Sequence, residues 1–157
     1  MKYELTLKTC VSADGTVLFQ IRALRDLFIR SVKAGDLGGF VQSNANLDQE
    51  GDCWIFAHAQ VYGNAQVVDN AMVYGNAVVK EDTIISDNAK VYGKAQVSGN
   101  AWIYGNAQVF DDAHVFEHAS VYENAKVFGS SKVSGFSCVS GAVRIAEGKK
   151  LELELAY

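Results

Sequence analysis

The chain has 157 residues, a net charge of −4 at pH 7 and no proline, which suits one domain with its own core and no stiff proline-rich linker. Its weak acidity excludes a general nucleic-acid binder, which carries a basic face. Three cysteines, Cys10, Cys53 and Cys138, lack any metal spacing such as Cys-x-x-Cys, so reduced thiols, a cytoplasmic location and no metal or other cofactor are expected.

The opening stretch MKYELTLKTC alternates charged and apolar residues and does not read as a signal peptide. Nowhere do the roughly eighteen apolar residues of a membrane helix occur, so no membrane contact is expected. Residues 2–9 and 16–23 alternate well enough for two strands, joined by the turn Ser12-Ala13-Asp14-Gly15. Leu24, Leu27 and Phe28 have helical spacing and predict a short helical turn near 23–30. Gly35, Gly38 and Gly39 mark a loop leading onward.

From Cys53 the chain changes character. Taken in sixes, the third place holds valine or isoleucine sixteen times running, from Ile55 to Ile145. The first place is alanine in eleven of the sixteen, and Cys53, Thr83, Ser131, Ser137 and Val143 fill the rest. First and third places are two apart, so in an extended segment they point the same way. The last two places are rich in Gly, Asn and Asp, as in Gly63-Asn64 and Gly99-Asn100, which make tight corners. Each unit is a short strand plus a corner, and such strands must stack on copies of themselves. Near the end, residues 151–155 alternate again as LELEL, opened by Gly148. The expected organisation is an N-terminal β-rich cap over 1–52, a solenoid over 53–148 and a capping strand over 149–157, the caps covering open β edges.

Small-x-[Val/Ile] every six residues resembles the hexapeptide-repeat family, whose members fold as left-handed parallel β-helices with three units per coil. The Gly-Asn-Ala phrasing, with VKAGDLGGFV at 32–41 ahead of it, is similar to the YdcK-like group of phage, prophage and bacterial proteins. The resemblance implies an all-β, single-stranded left-handed parallel β-helix of about five coils. In this chain glycine sits two places after the valine, where the common acyltransferase motif has it one place after. The handedness rests on the resemblance alone.

With eighteen residues per coil, three outward faces are expected. The first carries Trp54 and Phe56, Met72 and Tyr74, Lys90 and Tyr92, Gln108 and Phe110, and Lys126 and Phe128. Its five rings in one column form an apolar stripe of the size that usually marks a contact. Three readings stand: a subunit interface, a ligand or foreign-protein surface, or simple stacking covered by a cap. The interface leads, because related hexapeptide proteins pack three helices side by side, and a homodimer or homotrimer is expected. The second face, with His114 and Phe116, is mainly polar. The third includes Trp102 and Tyr104 and, one coil on, Tyr122. Asn70, Asn88, Asn106 and Asn124 fall at one corner and suggest an amide ladder. Glu81, Asp82, Asp111, Asp112, Glu117 and Glu123 lie at other corners and read as solvated charge.

Two enzyme classes share this fold by resemblance. Acyltransferases use a histidine base beside a groove framed by an extruded loop. Here no loop interrupts the coils after Cys53, and His114 and His118 are the candidate bases. Zinc enzymes of the carbonic-anhydrase type gather three histidines, but His58 lies about three coils from the other two. The function expected is therefore a non-enzymatic scaffold or binding protein. If phage-borne, it is expected to inhibit a bacterial defence factor by binding a protein or sequestering a small signal molecule. Acyl or acetyl transfer is the alternative.

Overall fold

A computed structural model describes residues 1–146 and 148–153. The fold is an all-β parallel solenoid of about six coils. Strands β1 (Tyr3–Val11), β2 (Val17–Ala23) and β3 (Leu37–Val41) open the chain, followed by rungs mostly two residues long, from Trp54–Ile55 onward. The rungs form three parallel sheets, and partners lie eighteen residues apart, as in Trp102 with Ser120 and Val91 with Val109. Backbone amides bridge the coils throughout: Trp102 N donates to Ala119 O at 3.0 Å and Tyr104 N to Val121 O at 3.0 Å.

The alternation of small and branched residues is the cause of the narrow core. Ala59, Val61, Ala65, Val67 and their successors through Val127 are sealed from solvent. A triangular coil leaves room for one methyl and one isopropyl group per side, and valine fills that slot in a pleated strand without rotamer cost.

The corners explain the turn residues. Among the described residues the fifth place of the units is left-handed, as at Gly63, Gly75, Gly93, Gly99 and Gly105 with φ of 63–70°, and at Asp69, Glu81, Asp87, Asp111, Glu117 and Glu123 with φ of 54–64°. Glycine needs no compensation there. The acidic residues have one. Glu81, Asp87, Asp111, Glu117 and Glu123 each accept the backbone N–H of the glycine eighteen residues on, at 2.5–3.1 Å. These corner carboxylates are exposed, as expected, and also stitch one coil to the next.

The solenoid starts earlier than Cys53. Strand β3 pairs in parallel with Gln60–Val61, and Leu47 bridges in parallel to Val67. Residues from β3 to Ile55 therefore form a first coil. It is two residues longer than the rest, so the six-residue phase was invisible there. The hairpin of β1 and β2 continues the same sheet below β3, antiparallel. A buried lysine closes this end. Lys2 is 1% exposed, and its Nζ donates to Glu50 O at 3.0 Å and Cys53 O at 2.9 Å and touches Cys53 Sγ at 3.1 Å. Tyr3 donates its hydroxyl to Leu47 O at 2.6 Å. Burial, then the neighbouring Cys53 and Asp48, hold its hydroxyl pKa above the ordinary tyrosine value.

The predicted helical turn is present as a single 3-10 turn, Phe28–Arg30. At the other end Lys150–Leu153 pairs in register with Lys132–Gly135 and so extends a sheet as its last rung. The rest of the expected LELEL strand, 154–155, lies outside the described residues. Among the described residues no helix is long and apolar enough to cross a membrane.

Candidate functional site

Because first and third places point inward, the second and fourth places of each unit make the surface. On the first face, the fourth-place rings form a continuous ladder. Tyr74 stacks on Tyr92 at 4.6 Å between ring centroids, Tyr92 on Phe110 at 4.9 Å and Phe110 on Phe128 at 4.9 Å, all within 2° of parallel. Phe56 meets Tyr74 edge-on at 6.4 Å. The Arg144 guanidinium sits 5.1 Å above Phe128 and closes the top. The rung spacing places the rings at stacking distance, and all five are half-buried, mostly by one another.

Trp54 does not belong to this surface. It is 1% exposed and packs edge-on against Tyr3 at 6.4 Å. Its second-place position points it outward, but the N-terminal segment folds over it. Tyr62 on the second face is likewise buried, in a cluster with Leu18 and Phe40. Met72 stays half-buried beside Tyr74.

The third face is different. Trp102 is 45% exposed and Ile84, one coil below, is 38% exposed. Trp102 lies against Tyr104 at 4.3 Å, and Tyr104 stacks on Tyr122 at 4.9 Å. The indole Nε1 donates to Ser86 Oγ at 3.1 Å, which fixes the ring in place. Half-buried Val68 extends the patch downward. A flat sheet thus presents a braced tryptophan, two tyrosines and an isoleucine.

The histidines are separate. His58 is exposed. His118 stacks on Phe136 at 4.8 Å. His114 is half-buried and tilted on Phe116 at 4.6 Å. Burial first, then the Lys132 and Lys80 ammonium groups, lower the His114 pKa below its ordinary value, with Glu81 opposing. Among the described residues no three His, Cys, Asp or Glu side chains gather as a metal site.

The Asn column makes no side-chain ladder among the described residues. Its backbone amides carry the stacking instead: Asn70 N donates to Asp87 O at 2.9 Å and Asn106 N to Glu123 O at 2.7 Å. Sequence reading also missed the corner stitching. Its signal was present as acid and glycine eighteen apart, in Asp87 with Gly105 and Glu117 with Gly135.

No curated protein matches the chain. The family model described as the YdcK β-solenoid repeat matches residues 65–81 and 95–109. Both stretches fall in the most regular coils, where Ala and Val fill the core and Gly or an acid turns each corner. Those coils stack as the repeat requires, and the match together with the parallel solenoid supports a YdcK-like β-solenoid family for the chain.

Proposed function

We propose that this chain is a non-enzymatic binding scaffold whose docking surface for a protein partner is the third face, centred on Trp102. The observation that carries this reading is the exposure of Trp102 and Ile84 on a flat sheet, beside the Tyr104–Tyr122 stack. Tryptophan and tyrosine contribute most to binding where they are held rigid and flanked by apolar area. Trp102 is held by Ser86 and Tyr104 and loses little entropy when covered. The ring ladder of the first face has already used its ring faces on itself, so the interface role moves from there to the third face. In a phage setting the docked partner is a bacterial defence factor, inhibited by being held.

Acyl transfer is the second reading. Its one favourable observation is His114, which the lowered pKa keeps neutral at pH 7, as a general base needs. Against it stand Phe116 against the imidazole and coils without an extruded loop after Cys53.

The test is affinity capture from the native host with the full chain and with Trp102→Glu and Tyr104→Glu. Proteins retained by the wild type and lost with both variants, at unchanged melting temperature, support the reading. Equal retention by all three overturns it. Acetyl-CoA turnover that vanishes in His114→Ala would establish the enzyme instead.

A further inference from the structure

The 3-10 turn Phe28–Arg30 leans over the first face, and Arg30 divides two hollows there. Below it lies an apolar hollow of about 430 Å³, lined by Phe56, Met72 and Tyr74. Above it lies a polar hollow of about 320 Å³, lined by Asn88, Lys90, Asn106 and Gln108. Each is of the size that holds a small molecule.

The polar hollow is rich in donors. Arg30 Nη2 donates to Asn70 O, while its Nε is buried without a hydrogen-bond partner. Lys90 adds an ammonium group to the wall. Gln108 Oε1 accepts the Tyr92 hydroxyl at 3.0 Å, which leaves the Gln108 NH2 as its free group. No carboxylate lines the hollow. Asp69 and Asp87, at the adjoining corner, are turned to the backbone amides of Asp87 and Gly105 at 3.2 and 2.9 Å. Two cations and a free amide thus meet in a hollow whose own lining has no carboxylate, with Asp69 and Asp87 the nearby negative charge, in a chain of net charge −4.

We infer that the first face holds a small organic anion across Arg30. Its carboxylate, sulfonate or phosphate lies among Arg30, Lys90 and Gln108, and its flat apolar body lies against Phe56, Met72 and Tyr74. Arginine suits this position because its planar fork meets an anion while its stem lies along apolar surface. The site is independent of the Trp102 face, so either can fail alone.

The probe is 8-anilinonaphthalene-1-sulfonate, titrated by fluorescence and calorimetry into the full-length chain. One saturable site is expected. Lys90→Gln and Arg30→Gln should each weaken it about tenfold, Tyr74→Ser should also weaken it, and Trp102→Ser should leave it unchanged. The uncharged analogue N-phenyl-1-naphthylamine should bind at least tenfold more weakly. Lys90 lies on a regular rung, so its variant keeps the fold and is decisive even if Arg30→Gln loosens the turn. Absence of binding, indifference to Lys90→Gln, loss with Trp102→Ser, or equal binding of the uncharged analogue would each overturn the inference.

Discussion

Two aromatic clusters climb this solenoid on different faces, and they differ in what their rings touch. From Tyr74 to Phe128 the first face stacks ring on ring at 4.6–4.9 Å, with Arg144 over the last. On the third face only Tyr104 and Tyr122 stack so, and Trp102 lies tilted across Tyr104 with 45% of its surface open. A ladder that satisfies itself acts as a spine. A cluster that stops short leaves its largest residue available. Column position alone does not separate the two, because both arise from the same six-residue unit.

The sharpest way to break this contrast uses neighbours on one rung. Ile103 is sealed in the core, whereas Trp102 is open to solvent. Ile103→Asp buries an unpaired charge and should cost on the order of 5 kcal/mol, enough to unfold the chain. Trp102→Glu should change stability by less than about 1 kcal/mol. Urea unfolding followed by circular dichroism separates the outcomes, and a folded Ile103→Asp variant would refute the register.

The next effect compares one ring from each cluster. Tyr92 lies between two stacked rings and should cost about 2–3 kcal/mol when replaced by alanine. Tyr122 stacks on one ring, so Tyr122→Ala should cost about 1 kcal/mol. Equal losses would mean that the ladder is no spine. Smaller still is the cap of the ladder. Arg144→Gln removes the cation over Phe128 and should lower stability by about 0.5 kcal/mol, read as a shift in the urea midpoint.

The second face supplies the smallest effect, through the tilted pair His114 and Phe116. Burial lowers the folded-state pKa of His114, so the unfolded chain takes up its proton first as pH falls. This contribution to stability is complete above the ordinary histidine value. It erodes as pH drops toward the lower folded value and levels off below it. Melting curves at pH 8, 6.5 and 5 should show a fall that His114→Gln reduces. An unchanged slope in that variant would place the titration elsewhere.

Much of the fold was legible because the core is so narrow. A slot that accepts one alanine and one valine per side writes its period into every unit, and the eighteen-residue pairing follows. Legibility failed where distant segments intervene. Trp54 holds an outward place, yet Tyr3 covers it. Lys2 is buried by carbonyls some fifty residues away, and nothing beside it in sequence announces this. The first coil escaped because it is two residues longer than the others. The ring columns could be found from the sequence, but exposure could not. How open Trp102 or Phe110 is depends on what stacks on it, and both share the same repeat.

The most direct measurement places one negative charge on each ring column and repeats the capture. Trp102→Glu should lose the partner while melting as the wild type does. Phe110→Glu should be less stable and, below its melting temperature, still retain the partner. Loss of the partner with Phe110→Glu and retention with Trp102→Glu would contradict the assignment of docking to the third face.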